Sequence, residues 1–423
     1  MGRRASMEPI DLFAVVLALA VLIGCINHIW IGLPAAIGML LGSLVVSLLI
    51  VSSDHVFHLH VMHWFRGTLD AADLPHFFLD GALALLLFAG SLHVDVAELN
   101  RRRWLILLLA TASVILSTII FGAGMWEAFG LIGIAVPLAW CFVLGAILAP
   151  TDAVVVENLL RQAGLPSNLR TAIVGESLFN DGAGVVLFLL ALGVTRGDVI
   201  HLGHGRVVGA LLREIAGGAM LGILAGWLAA LLLRRIKDDG LQLLISLALV
   251  LGCYRLALLA DLSGPIAVVT AGLCLSSPSP RLGLTPDMRA VLIGFWSPLN
   301  QLLNTMLFLL MGLQILGLVI QPIELVPIVF AIPLAVVSRL ISVAMPLALT
   351  TENVREKLRA TTVLTWAGLR GGISIALALT LPDSPWRTDL LVMTYAVVVF
   401  TIVVQGLTFS RCLRIAYGEE TPT

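Results

Sequence analysis

The chain has 423 residues, of which 59% are apolar and 12% charged, and its formal net charge is −1. A soluble domain typically carries about twice that share of charged residues, so the composition is that of an integral membrane protein rather than a soluble enzyme. The net charge supplies no electrostatic footprint for nucleic acid, and the long apolar runs exclude an outer-membrane barrel, whose strands alternate in short segments.

Apolar runs recur from residue 9 to residue 410, and no soluble domain fits between them. Because a helix needs about 20 apolar residues to cross a bilayer, the runs predict an all-α polytopic protein with about thirteen transmembrane helices in one domain of residues 1–423. The predicted spans lie near residues 9–29, 33–52, 76–94, 104–125, 131–149 with an irregular continuation to 160, 170–194, 209–233, 240–259, 264–276, 290–320, 323–348, 358–381 and 388–410.

The loops between these spans differ in positive charge. Most Lys and Arg residues, such as those in 101–103, 234–237, 355–359 and 411–414, fall on the same side when the spans alternate in direction. Because cytoplasmic loops carry the excess of Lys and Arg, this pattern predicts a multi-pass protein of the cell (inner) membrane with its N-terminus outside and its C-terminus in the cytoplasm.

The sixth span holds the densest polar cluster of any span, Gly175-Glu-Ser-Leu-Phe-Asn-Asp-Gly182. On a helix, Ser177 and Asp181 share one face while Glu176 and Asn180 share the adjoining face. The hydroxyl and carboxylate of the first face are oxygen ligands suited to a hard cation, and Glu176 requires a cationic partner. The alternative is a polar cluster that only holds helices together.

Two interruptions lie about 220 residues apart in the chain. Pro150 breaks a helix next to Thr151 and Asp152, and the segment Gly368-Leu-Arg-Gly-Gly372 weakens a second helix around Arg370. Charged residues within the membrane are usually functional, and paired helix interruptions point to an inverted repeat with the ion site between the two broken, crossing helices.

At these residues the chain resembles the monovalent cation/proton antiporter family, specifically the sodium/proton exchanger branch that carries an Asn-Asp pair. Several further motifs support the resemblance, and they are Leu262-Ser-Gly-Pro-Ile-Ala-Val-Val269, Leu303-Asn-Thr-Met-Leu-Phe-Leu-Leu310 with Gly312, Trp366-Ala-Gly-Leu-Arg-Gly371 and Ser338-Arg339. The resemblance implies a homodimer in which a core domain, with transport helices near 76–194 and 290–381, moves against a dimerisation scaffold.

The resemblance also assigns ion-binding roles by position. It implies that Asp181 is the carboxylate shared by the cation and the proton, that Asn180 lies beside it, that Asp152 and Thr151 lie at the first helix break, and that Ser177 is an additional ligand.

Three further residues receive supporting roles from the resemblance. Glu176 is expected to form a structural salt bridge with Arg339, and Arg370 matches the arginine of the second broken helix. No cofactor and no metal other than transported Na⁺ is expected.

One departure from the family pattern leaves the ion preference open, and one histidine cluster leaves its own role open. Some relatives carry a glutamate on the third helix where this chain has Ala89, so the number of ligands is uncertain. His55, His58, His60 and His63 crowd the loop before that helix; they form either an amphipathic interfacial segment or a metal or pH-sensing site.

The sequence therefore predicts an electroneutral 1:1 antiporter of Na⁺ and H⁺ that serves pH homeostasis, with transported ions and the bilayer as partners. A K⁺/H⁺ antiporter of the same fold and a cation channel remain as alternatives. An intramembrane hydrolase is not supported, because no Ser has a His at membrane depth to activate it.

Overall fold

The computed structural model describes residues 9–57, 81–152, 167–197, 204–277, 284–314 and 325–418. Helices account for nearly all of these residues, and the described part of the chain contains no strand. The α-helices are α1 (Pro9–Ile26), α2 (Ala35–Phe57), α3 (Leu83–Leu92), α4 (Val96–Arg101), α5 (Arg103–Ala110), α6 (Ala112–Leu131), α7 (Leu138–Ile147), α8 (Ser167–Arg196), α9 (His204–Leu233), α10 (Asp239–Leu259), α11 (Gly264–Ser276), α12 (Pro286–Gln314), α13 (Leu325–Ala348), α14 (Val354–Trp366), α15 (Gly372–Leu379), α16 (Arg387–Phe400) and α17 (Gly406–Tyr417). Two π-helical turns, Asn27–Ile31 and Thr401–Gln405, extend α1 and connect α16 to α17.

Eight helices or continuous helix runs among the described residues are long and apolar enough to cross a membrane. Three shorter apolar helices, α3, α7 and α11, accompany them. The predicted all-α polytopic architecture is confirmed, whereas the count of thirteen and the inverted repeat stay predictions.

The helices pack in two sets. The first set, called here the α8 bundle, contains α4–α8 and α13–α17, with α6 against α13 and α7 against α8. The second set, called the α12 bundle, contains α1–α3 and α9–α12, with α2 against α12 and α3 against α11. The predicted division into core helices near 76–194 and 290–381 and a scaffold stays a prediction, and in this packing α3 and α12 lie with helices assigned to the scaffold.

Local sequence explains where several helices begin. Ser263 accepts a hydrogen bond at Oγ from the backbone N–H of Ile266 (3.5 Å), and Pro265 lies in the first turn of α11. Asp95 and Asp238 cap α4 and α10 in the same way. Side-chain acceptors of this kind satisfy the N–H groups that a helix start leaves unpaired.

Both predicted interruptions are present in the backbone. Helix α7 ends at Ile147 and is followed by irregular residues up to Asp152. Helix α14 ends at Trp366, and α15 begins at Gly372. The predicted continuation from 153 to 160 lies outside the described residues, as do His58, His60 and His63 and the side chain of His55.

Candidate functional site

The polar cluster of α8 is buried inside the protein. The exposed fractions of Glu176, Ser177, Asn180 and Asp181 are 1%, 3%, 0% and 7%. Because polar and charged groups are costly to remove from water, four of them on neighbouring faces of one helix require specific partners, and these partners divide the cluster into two parts.

One part of the cluster, Ser177 and Asn180, is hydrogen-bonded to Thr151 at the first break. Ser177 Oγ donates a hydrogen bond to the carbonyl oxygen of Thr151, and Asn180 Nδ2 donates to Thr151 Oγ1 at 2.7 Å. The backbone is irregular here because Pro150 lacks an N–H group, so α8 side chains provide part of the bonding that a helix would otherwise provide.

The two helix breaks contact each other through charged side chains. Arg370, from the second break, donates through Nη1 to the carbonyl oxygens of Ala149 and Pro150, the latter at 2.9 Å. These carbonyls lie just beyond the C-terminal end of α7, where a cation is favoured by the helix dipole. Arg370 is 2% exposed, so it is held within the protein rather than in water.

Asp152, from the first break, lies at the start of α15, the helix that follows the second break. Its backbone N–H donates to the carbonyl of Leu369 at 2.7 Å. A Cβ atom on Gly371 would overlap the Asp152 carboxylate, so glycine at this position permits the close approach. A carboxylate is favoured at a helix N-terminus, and each break thereby places its charged side chain at the end of the other broken helix.

A cavity of about 60 Å³ lies beside these groups. Its polar lining consists of Asp152, Ser177, Asp181, Asn300 and Asn304, and no basic side chain lines it among the described residues. Asp181 Oδ1 is buried and has no hydrogen-bond partner within the part of the chain that the structure describes. The cavity therefore presents negative charge and oxygen ligands, the combination that a hard monovalent cation requires.

Glu176 does not line this cavity and has a partner of its own. Arg339 Nη1 lies 2.5 Å from Glu176 Oε1, and Arg339 Nη2 donates to the carbonyl of Leu364 at 3.5 Å. The two side chains are 1% and 5% exposed. Arg339 therefore balances the Glu176 carboxylate without a bound ion. Among the described residues, the Asp181 carboxylate has no basic partner of this kind.

The structure brings the predicted ion-binding residues Asp181, Asp152 and Ser177 to one cavity, with Thr151 and Asn180 directly behind it. The sequence-based selection missed Asn300 and Asn304. Their spacing of four residues within an apolar helix was the available signal, since it places both amides on one face.

The third helix contributes apolar groups to the cavity. Leu87 and Gly90 line it, while Ala89 is fully buried and is not part of the lining. Among the described residues, α3 contributes no carboxylate to the cavity.

Comparisons with known proteins identify the family and the fold of the chain. A family model described as "Sodium/hydrogen exchanger, transmembrane" matches residues 12–415. The chain is 36% identical over 421 residues to the Na⁺/H⁺ antiporter NhaP of Pseudomonas aeruginosa, with 97% of this chain and 98% of the relative covered. It is 30% identical over 391 residues to the Na⁺/H⁺ antiporter NhaH of Halobacillus dabanensis, with 90% and 91% covered.

A solved structure has the same fold. The sodium proton antiporter MjNhaP1 from Methanocaldococcus jannaschii at pH 8 superimposes with a TM-score of 0.73 at 20% sequence identity, covering 96% of this chain and 97% of the other.

Proposed function

The chain belongs to the sodium/hydrogen exchanger family, and we propose that it exchanges Na⁺ for H⁺ across the cytoplasmic membrane at Asp181. The observation that carries the proposal is the Asp181 carboxylate, whose buried Oδ1 has no hydrogen-bond partner among the described residues and which lines a cavity without a basic side chain. Because an uncompensated charge is unfavourable away from water, the carboxylate binds either a proton or a cation.

The neighbouring residues complete the ion site in this proposal. Asp152 adds a second negative charge, and Ser177 adds a hydroxyl oxygen at the cavity wall. Asn180 acts through Thr151, because its Nδ2 donates to Thr151 Oγ1 at 2.7 Å and fixes the irregular segment behind the site. Oxygen ligands on irregular backbone at a helix break are a common arrangement in transporters.

Exchange follows from competition. Since the proton and Na⁺ bind the same carboxylate, the site carries one or the other in each direction, and one proton for each Na⁺ moves no net charge. The cavity lies between α8 and α15 of one bundle and α3 and α12 of the other. We propose that the α8 bundle moves against the α12 bundle, so that the transport boundary passes through this cavity.

The arrangement in the membrane is part of the proposal. The unequal distribution of Lys and Arg supports a cytoplasmic C-terminus and an external N-terminus, and the family resemblance supports a homodimer. Labelling of single introduced cysteines from each side of the membrane tests the orientation, and the mass of the purified protein tests the dimer.

Proton flux in proteoliposomes tests the function. With the purified protein and an internal pH dye, we expect an imposed Na⁺ gradient to drive proton movement, an Asp181→Asn variant to be inactive, and a choline gradient to have no effect. Li⁺ and K⁺ gradients in parallel identify the preferred ion, and a response to K⁺ alone would replace Na⁺ by K⁺ in the proposal. Proton flux that does not depend on any alkali cation would contradict antiport.

A further inference from the structure

Helix α12 carries two polar pairs that face different cavities. Asn300 and Asn304 line the cavity of Asp181. Gln301 and Thr305, one residue further along, line a separate cavity of about 550 Å³ together with Asn27 and other residues that follow α1. The same stretch of helix therefore offers a polar pair at the ion site and a second pair of equal spacing that does not contact it.

The amide of Asn304 is oriented by its own helix. Its Nδ2 donates to the carbonyl oxygen of Asn300 at 2.8 Å and to Asn300 Oδ1 at 3.1 Å. With the amide nitrogen directed along the helix, Oδ1 of Asn304 is the atom left to meet a ligand in the cavity. An amide oxygen accepts a hydrogen bond or binds a cation, but it has no proton to exchange at physiological pH.

The remainder of this side of the cavity is apolar. The α12 bundle contributes Leu83, Leu86, Leu87, Gly90 and Leu307 in addition to the two asparagines. Among the described residues, Asn300 and Asn304 are therefore the polar side chains that the α12 bundle presents to an ion, whereas both carboxylates come from the α8 bundle.

We propose that Asn300 and Asn304 determine which cation the site accepts, by supplying neutral oxygens from the bundle opposite Asp181. This inference rests on the proposed function. Carboxylates attract a cation and a proton alike, but a neutral amide oxygen strengthens cation binding without binding a proton. A selective site replaces the hydration shell of the ion with protein oxygens, so the oxygens of the asparagines set the preference among Li⁺, Na⁺ and K⁺.

Alanine variants of both pairs test the proposal. We expect Asn300→Ala and Asn304→Ala to raise the apparent KM for Na⁺ about tenfold, the effect of losing one contact with a charged group. The ratio of Li⁺ to Na⁺ transport should change as well. Gln301→Ala and Thr305→Ala are matched controls on the same helix, and they should leave KM and the ratio unchanged.

Two further measurements separate ligation from packing. Na⁺ should raise the melting temperature of the purified wild-type protein by binding the folded state, and Asn304→Ala should require a higher Na⁺ concentration for the same rise. Asn304→Asp retains an oxygen at the position, so it should restore Na⁺ binding, and its added carboxyl group should make exchange more steeply dependent on pH.

The outcomes also distinguish this inference from the proposed function. An unchanged KM and cation ratio in both asparagine variants would overturn the inference, and the function would still stand if Asp181→Asn were inactive. Equal shifts in the Gln301 and Thr305 controls would show that disturbance of α12 is the cause, and would overturn it too. If Asn304→Ala cannot be purified, Asn300→Ala decides the question by the same criteria.

Discussion

Glu176 and Asp181 lie on one helix and are both buried, yet their surroundings differ. The carboxylate of Glu176 is 2.5 Å from Arg339 and does not line the cavity. The carboxylate of Asp181 lines the cavity and leaves Oδ1 without a hydrogen-bond partner in the described residues.

The difference separates structural charge from transport charge. A buried carboxylate beside a permanent cation such as Arg gains nothing from an incoming ion, because its charge is already balanced. A buried carboxylate without that balance is satisfied only by the transported proton or cation. Under the proposed function, one turn and a half of α8 contains a residue that holds helices together and a residue that exchanges ions, and the partner rather than the residue type decides between them.

The largest effect is expected from Asp181→Asn. This change removes the exchangeable charge and keeps the size of the side chain, so exchange should be abolished while the melting temperature stays equal or rises. The measurement is cation-dependent proton flux in proteoliposomes beside a melting curve. Asp239→Asn, at an exposed aspartate at the start of α10, is the matched control and should retain wild-type flux; cation-dependent flux in Asp181→Asn would refute the assignment.

The second prediction concerns the Glu176–Arg339 pair. Glu176→Gln or Arg339→Gln alone leaves one charge buried without its partner, which should cost about 3–5 kcal/mol of stability. The double variant removes both charges and should recover much of that loss. The measurement is the melting temperature of both single variants and the double variant in detergent.

The form of this cycle decides the role of Glu176. Losses that simply add would show that the two side chains are not coupled, and Glu176 would then belong to the ion site. Together with Asp181→Asn, the cycle compares the two carboxylates directly. Substitution of Asp181 is expected to abolish exchange without lowering stability, whereas substitution of Glu176 is expected to lower stability.

A third prediction extends the comparison to Asp152, the other carboxylate of the cavity. Gly371→Ala would place a Cβ atom against the Asp152 carboxylate and displace it. Weakening one contact with a charged group costs about 1.5 kcal/mol or more, so we expect the apparent KM for Na⁺ to rise at least about tenfold. Gly294→Ala on α12, where a Cβ atom meets nothing within 4 Å, is the control; an unchanged KM in Gly371→Ala would show that the position of Asp152 is not critical.

The sequence was sufficient for features that depend on local pattern. Apolar runs identified an all-helical membrane protein, Pro150 marked the irregular segment after α7, and the glycines around Arg370 marked the gap between α14 and α15. Each of these is set by residues close together in the chain, because helix interruption follows from a missing N–H group or from glycine content.

Long-range contacts were not readable in this way. The contact between Arg370 and the carbonyls of Ala149 and Pro150 joins residues about 220 positions apart. Asn300 and Asn304 line the same cavity as Asp181 because of how α12 packs. The break at Thr111, which divides the predicted span 104–125 between α5 and α6, contains neither proline nor glycine. Such features depend on which helices meet, and a single sequence does not contain that information.

The smallest expected effect is that of membrane potential on exchange. The N-terminus of α15 favours the negative charge of Asp152, so under the proposed function we expect Asp181 to be the carboxylate of the cavity that exchanges its proton. One proton for one Na⁺ moves no net charge, so collapsing the potential with an ionophore should leave the flux and the apparent KM for Na⁺ unchanged.

Voltage and pH together test this stoichiometry. If Asp152 also exchanged a proton, each cycle would move one net charge, and 100 mV would contribute about 2.3 kcal/mol, equal to about a fiftyfold shift in the Na⁺ gradient at equilibrium. The apparent KM for Na⁺ gives an independent answer, because a cation ligand must lose its proton before the cation binds. In the acidic range, each unit by which the pH falls should raise KM about tenfold for one competing proton and about 100-fold for two. These correspond to slopes of one and two in a plot of log KM against pH. A slope of one with no voltage effect supports Asp181 as the carboxylate that exchanges a proton. A slope of two with voltage dependence would show that Asp152 exchanges a proton as well, and the two carboxylates of the cavity would then not differ in role.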